Sequence, residues 1–183
     1  MKVKPSATPG QVVVQLSSRD DPLLEESVRN ALPVPFRLKK ILVPVDFSAC
    51  SHQALDYARS VSQAFGAELL LLHVVEPMIV PENLMLIAPE LPALGDNLLT
   101  VARGRTEELR EQVAARGLRV QSLVRVGRAC DEIIEAAKIE GVDLIIIATH
   151  GYTGLKHALL GSTAERVVRH CPCPVLTVRQ PAG

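Results

Sequence analysis

The sequence predicts an α/β fold in which helices cover both faces of a five-stranded, mainly parallel sheet, a doubly wound, Rossmann-like arrangement. First, residues 41–45 and 144–148 are short apolar runs without polar alternation, which is typical of strands buried on both faces. Second, segments with apolar residues at helical spacing alternate with such runs, as in crossover units. Third, 48% of the residues are hydrophobic but only 3% are aromatic, so aliphatic side chains are expected to fill the core.

Strands and helices are predicted to alternate along the chain. The strands are expected at residues 41–45, 68–75, 119–126, 143–148 and 174–178. The first helix is expected to begin after Ser48 as N-cap, and glycines end the first three helices. Apolar residues at helical spacing define these helices: Ala54, Ala58, Val61 and Phe65 before Gly66; Leu98, Ala102, Leu109 and Val113 before Gly117; Ile133, Ile134 and Ala137 before Gly141. A fourth helix is predicted at residues 163–169.

Residues 1–37 lie outside this pattern and are interpreted as an N-terminal extension of a domain formed by residues 38–183. Residues 11–16 have the composition of a strand, and Asp21-Pro22 indicates the start of a short helix. Its apolar stripe would be Leu24, Val28 and Leu32. The extension is expected to pack on the main domain or on another subunit, and a loosely ordered tail is an equally open alternative.

The connection at residues 76–93 holds four prolines and is nonetheless rich in Met, Leu and Ile. A solvated loop would be more polar, so this segment is expected to cover an apolar surface. Because it follows the carboxyl end of the second strand, it is a candidate lid over a crevice. Packing against a neighbouring subunit is the alternative.

Composition excludes several classes of function. Twenty Lys and Arg balance twenty Asp and Glu, so no overall charge draws the chain to nucleic acid or to an anionic membrane. There is no Trp to stack on bases, and no apolar run has the length of a signal peptide or a membrane span. Four scattered cysteines, without a C-x-x-C pair, are interpreted as reduced structural thiols. A cytoplasmic location is therefore predicted.

A glycine-containing loop follows the fourth strand and leads into the last helix. The strand ends in Thr149-His150-Gly151, and Gly161-Ser162 stands at the start of the helix. Ser162 with Glu165 three residues later matches a capping box. Unpaired N–H groups and the positive end of the helix dipole favour an anion such as phosphate there, and glycines allow close approach. A simple turn with a capped helix is the alternative.

The same residues resemble the universal stress protein family, whose nucleotide-binding members carry G-x2-G-x9-G-[ST] after the fourth strand. Here Gly151, Gly161 and Ser162 match, whereas Ala148 replaces the first glycine and adds a methyl group where a nucleotide would pass. The resemblance covers residues 38–179 and implies the strand order 3-2-1-4-5. It also implies that Pro44, Asp46 and Val74 face the adenosine end of a nucleotide and that Val45 belongs to the same binding site. Ribose and phosphates would be held by Ile147, Ala148, Gly151, Gly161, Ser162 and Thr163.

By this resemblance the chain is expected to bind ATP between strands one and four, with Mg²⁺ on the phosphates, and to act as a nucleotide-dependent stress-response switch. Homodimers joined through strand five are also expected, since family members pair these edges. No P-loop, catalytic triad or two-metal carboxylate cluster is predicted, so fast phosphoryl transfer is not expected. One alternative is a dimeric interaction protein with an empty crevice. Another is an enzyme acting on an adenylated substrate.

Overall fold

The computed structural model describes residues 2–5, 12–15, 37–77, 91–149 and 160–179. The chain divides into two compact units, Met1–Arg37 and Leu38–Gly183. In the first unit, β1 (Lys2–Pro5) and β2 (Val12–Gln15) form an antiparallel pair with Lys2 opposite Gln15. The strand expected at residues 11–16 is thus present, and β1 was not predicted. The helix expected to carry Leu24, Val28 and Leu32 lies outside the described residues.

The second unit alternates strands and helices as predicted. Its elements are β3 (Lys40–Pro44), α1 (Ala49–Phe65), β4 (Glu68–Val75), α2 (Leu91–Ala114), β5 (Val120–Val126), α3 (Ala129–Ile139), β6 (Leu144–Ala148), α4 (Ser162–His170) and β7 (Val175–Val178). All pairings in the sheet are parallel, and the strands lie in the order β5-β4-β3-β6-β7. Counted within this sheet in chain order, that is 3-2-1-4-5, which confirms the prediction.

The apolar runs lack alternation because both faces of the sheet are covered. On one face Ile41, Leu71 and Ile146 pack in a core with residues of α1 and α2. On the other face Leu42 and Ile145 pack in a second core with residues of α3 and α4. Neighbouring residues of one strand therefore contribute to different cores.

Two helix stripes differ in detail from the periodicity. Phe65, the last residue of α1, is 46% exposed, and Leu98 is 48% exposed although both were counted as apolar stripe positions. The buried stripe of α2 instead includes Thr106, which is fully buried because its hydroxyl donates to the carbonyl oxygen of Ala102 at 2.7 Å. A satisfied hydroxyl can occupy a core position that hydropathy alone passes over.

Among the helices in the described part of the chain, none is long and apolar enough to cross a membrane.

Candidate functional site

A crevice with a volume of about 300 Å³ opens where β3, β4 and β6 end and where α3 and α4 begin. β3 and β6 are neighbours in the sheet, but the chain continues from them toward opposite edges. From β3 it leads to β4, and from β6 it leads to β7. Such a reversal of strand order leaves a gap between the first turns of the following helices, and ligands of open parallel sheets bind in that gap.

The structure brings together the predicted site residues that it describes. They come from the end of β3, the end of β4, the end of β6 and the first turn of α4. Those lining the crevice are Pro44, Val45, Asp46, Val74, Ile147, Ala148, Gly161, Ser162 and Thr163. Gly151, the remaining predicted residue, lies outside the described residues, as does most of the loop before α4.

Seven further lining residues were not predicted from the sequence. They are Ser51, Leu72, Glu76, Ala129, Ile133, Thr149 and Ala164. Some could have been found by periodicity: Leu72 stands two residues before Val74 on the same strand face, and Ala129 and Ile133 are one helical turn apart. The contribution of α3 follows from the spatial order of the strands, which places its first turn beside the end of β4.

Backbone hydrogen bonds join the residue that follows β6 to the residue that precedes α4. The N–H of Gly161 donates to the carbonyl oxygen of Thr149 at 2.7 Å, and the N–H of Thr149 donates to the carbonyl oxygen of Val178 at 2.9 Å. The end of β6 and the start of α4 are thereby held together beside the crevice.

The predicted capping box at the start of α4 is wrong. The N-cap is Gly161, with φ −69° and ψ 154°, and Ser162 is the first helical residue. Glu165 forms an ion pair with Arg169, four residues later, at 2.7 Å. A glycine N-cap carries no side-chain acceptor, so the first N–H groups of the helix are left to another partner. Gly161, Ser162 and Thr163 line the crevice, where the helix dipole favours an anion.

Asp46 has a structural role at the start of α1 in addition to its place in the crevice. Its Oδ1 accepts hydrogen bonds from the N–H of Ser48 at 3.0 Å and from the Ser48 hydroxyl at 2.6 Å. The Ser48 oxygen in turn accepts from the N–H of Ser51 at 3.2 Å, which confirms Ser48 as the N-cap. The carboxylate is therefore fixed in orientation by the helix that follows it.

Phe47 turns the chain sharply between Asp46 and Ser48. Its φ of 62° is in the left-handed region, which is uncommon for an aromatic residue. Its ring lies 4.7 Å from the His73 ring and 4.0 Å from the guanidinium of Arg105. His73 also makes a hydrogen bond from Nδ1 to the carbonyl oxygen of Val45 at 2.8 Å. These contacts stabilise Phe47 in a backbone conformation that costs about 1–3 kcal/mol.

The charged side chains that line the described part of the crevice are both acidic, Asp46 and Glu76. Oε1 of Glu76 lies 3.3 Å from the N–H of Ala129 and accepts its hydrogen bond at the first turn of α3. Within the described part of the crevice, an anionic ligand would be stabilised by backbone N–H groups, by hydroxyl groups or by an added cation. The loop before α4 contains Lys156 and His157, which lie outside the described residues. In the described part of the chain, no three His, Cys, Asp or Glu residues cluster as metal ligands.

Comparison with known proteins identifies the family to which this fold belongs. Residues 37–179 match the universal stress protein family. Universal stress protein MJ0577 of Methanocaldococcus jannaschii is 32% identical over 154 residues, which cover 78% of this chain and 95% of that protein. Universal stress protein A homolog 2 of Coxiella burnetii is 37% identical over 145 residues, covering 77% of this chain and 94% of the relative. The chain belongs to the universal stress protein family.

Solved structures agree with the assignment. The structure of MJ0577 has a TM-score of 0.69 at 33% identity and covers 80% of this chain and 99% of its own. UspA of Lactobacillus plantarum has a TM-score of 0.69 at 28% identity, with 78% and 99% covered. A universal stress protein solved in complex with cAMP has a TM-score of 0.54 at 23% identity, with 78% and 97% covered, and shows a likeness of fold alone.

Proposed function

We propose that this chain binds ATP in the crevice between β3 and β6 and that occupancy of the crevice regulates its contacts with other molecules. The observation that carries the proposal is spatial. Residues that the family motif implies for the adenosine and phosphate ends come from four separate chain segments and line one crevice at the reversal of strand order.

The chemistry of the crevice suits the two ends of a nucleotide. Leu72, Val74 and Ile133 provide apolar surface for a base, and the fixed carboxylate of Asp46 is placed to accept hydrogen bonds from adenine or ribose. At the other end, the first turn of α4 offers hydroxyl and N–H donors for phosphate oxygens. A volume of about 300 Å³ lies at the small end of the range for ligand pockets.

Magnesium belongs to the proposal because of the acidic lining. With Asp46 and Glu76 in the described crevice, a triphosphate brings further negative charge to a site already negative. Mg²⁺ commonly binds substrate phosphates together with one or two carboxylates and water. We therefore propose that ATP enters as its magnesium complex, and that the metal is held mainly by the phosphates.

The alternative function is an interaction protein of the same fold with an empty crevice. Ala148 favours it, because this residue lines the crevice at the position where nucleotide-binding members of the family have glycine. Ala148 is 9% exposed, so little of its surface is open to a ligand. The two functions differ in one measurable property, the affinity for ATP.

The first prediction separates them by calorimetric titration of the purified chain with ATP and Mg²⁺. We expect wild-type binding, and Asp46→Ala should raise the dissociation constant about ten- to hundredfold, the equivalent of a charge-assisted hydrogen bond of about 1.5–3 kcal/mol. Ala148→Gly should leave the affinity equal or raise it.

The matched control is Asp56→Ala, which removes an exposed carboxylate of α1 that pairs with Arg59. Its affinity should equal that of the wild type, and circular dichroism checks that each variant is folded. No binding by the wild type would favour the interaction protein. Equal affinity of Asp46→Ala and the wild type would place the nucleotide elsewhere.

We also propose a homodimer joined through β7, in a cytoplasmic protein whose thiols stay reduced. β7 is the last strand of the sheet in the described structure, with β6 on one side, and Leu176 on it is 41% exposed. A strand edge with exposed apolar residues favours pairing with another strand.

The same geometry suggests how ATP could regulate the dimer. α4 begins at the crevice and is followed within five residues by β7. Its nine residues span about 13 Å. A nucleotide that fixes the first turn of α4 would thus act directly on the helix that leads to the pairing edge.

The second prediction concerns this edge. Light scattering at roughly micromolar concentration should show a dimer, because such strand edges pair readily. Leu176→Arg should shift the population to monomer, because it places a charge in the proposed interface along β7. Ile139→Arg, at an apolar α3 residue that is 62% exposed, is the control and should remain dimeric. A monomeric wild type, or a dimeric Leu176→Arg variant, would contradict a β7 interface.

A further inference from the structure

Two cysteines between α4 and β7 lie close together and belong to no part of the crevice described above. Cys171 is the C-cap residue of α4, and Cys173 stands two residues before β7. Their sulfur atoms are 3.5 Å apart, and both side chains are half-buried. Neither forms a disulfide, and neither do Cys50 and Cys130.

The backbone around this pair is fixed on both sides. The N–H of Cys171 donates to the carbonyl oxygen of Val167 at 2.9 Å, and the carbonyl oxygen of Pro174 accepts from the N–H of Ile145 at 3.0 Å. Pro172 and Pro174 flank Cys173 and restrict its backbone. The two sulfurs are therefore held side by side without the ordering cost that a flexible pair would incur.

We propose that Cys171 and Cys173 form a binding site for a trivalent, thiophilic metalloid, the chemical class of the trivalent arsenicals. Two sulfurs 3.5 Å apart, each bonded at about 2.3 Å to one atom as in a zinc–thiolate bond, subtend an angle of about 100°. That angle fits a pyramidal atom with two sulfur ligands and a third substituent. It is far from the linear arrangement of a two-coordinate soft metal.

The surroundings favour a metalloid over a transition metal. A structural zinc site takes four protein ligands, and the described residues contain no cluster of three potential ligands. A trivalent arsenical that carries one organic substituent needs only the two thiols, because its third bond is the bond to that substituent.

The pair is expected to take up the metalloid by a condensation reaction. Condensation with an arsenic(III) oxide starts from two thiols: two S–H and two As–O bonds break, two As–S bonds form, and one water leaves with both protons. Arsenic stays trivalent, so no oxidant is consumed.

Disulfide formation is the competing reaction. It would require the sulfurs to approach by about 1.5 Å, to the S–S length of about 2.05 Å, and it would require an oxidant.

The third prediction tests the site with phenylarsine oxide. The full chain, reduced and desalted without oxygen, should gain one phenylarsenic group per chain by intact mass, with loss of one water. This adduct should resist a large excess of glutathione and be removed by dimercaprol, because two sulfurs from one chain compete better than separate monothiols. Fragmentation of the wild-type adduct should place arsenic on the peptide holding Cys171 and Cys173.

Variants provide the matched comparison. Cys171→Ser and Cys173→Ser should each lower the glutathione-resistant adduct about hundredfold, the low end of the gain from an intramolecular second bond. The double variant Cys50→Ala with Cys130→Ala should retain it. The proposal is overturned by a wild-type adduct that glutathione removes, by arsenic on Cys50 or Cys130, by a resistant adduct in either serine variant, or by a wild type that yields a disulfide instead.

Discussion

The substitution Gly161→Val is expected to raise the dissociation constant for ATP at least about hundredfold, a loss of roughly 3 kcal/mol. Gly161 lines the crevice and is the N-cap of α4. In the proposed complex, a valine side chain there would occupy the space in which phosphate oxygens approach the first N–H groups of the helix. Calorimetric titration with ATP and Mg²⁺ measures the effect.

The effect should come from the site because the backbone tolerates the change. Gly161 has φ −69° and ψ 154°, an extended conformation that a β-branched residue adopts without strain. Replacing glycine by valine at an N-cap costs less than about 2 kcal/mol, which leaves a domain of ordinary stability folded.

Gly104→Val is the matched control. Gly104 is an exposed residue of α2, and a Cβ added there meets no atom within 4 Å. Its ATP affinity should equal that of the wild type. If Gly161→Val also binds as the wild type does, the phosphates do not lie at the start of α4, even if ATP binds to the chain.

The arrangement of the sheet could be predicted from sequence because it depends on the simplest signal. Residues 41–45 and 144–148 are apolar without alternation, and only strands with both faces covered require this. The strand order came from the resemblance to a family, since apolar runs do not state which strands are neighbours. Once that order was given, the residues at the ends of β3, β4 and β6 could be placed together.

Other features depended on contacts that a sequence pattern does not contain. Ser162 fitted a capping box, but the helix begins one residue earlier and Glu165 pairs with Arg169 instead. Serine and glutamate at this spacing are compatible with either helix start, so the spacing alone could not decide between the two. Glu76 stands beside the first turn of α3 only because β4 and β5 are neighbours, and it lies 53 residues before Ala129 in the chain.

The left-handed backbone conformation of Phe47 could not be predicted from the sequence either. Nothing in a phenylalanine indicates a left-handed backbone, which is usual for glycine and tolerated by asparagine or aspartate. The conformation is stabilised by His73 and Arg105, which come from β4 and α2. Contacts between elements decide such a turn, and they follow from the fold rather than from the neighbouring sequence.

The largest loss of stability is expected from Ile145→Ala in β6. Ile145 is fully buried and packs in the core between the sheet and helices α3 and α4. Its truncation removes apolar contacts and leaves a cavity, which costs about 2–5 kcal/mol in a well-packed interior. Since a domain of this size is stabilised by about 5–15 kcal/mol in total, the urea midpoint should fall markedly.

The chain offers a chemically identical control in Ile139→Ala. Ile139 is the last residue of α3 and is 62% exposed, so the same substitution should change the free energy of unfolding by no more than about 0.5 kcal/mol. Unfolding is followed by circular dichroism, because the chain has no Trp. Equal costs for the two variants would contradict the packing of Ile145 between sheet and helices. A large cost for Ile145→Ala alone would show that the core on this face of the sheet is as tightly packed as the structure indicates. Ile147, which lines the crevice, belongs to the same core.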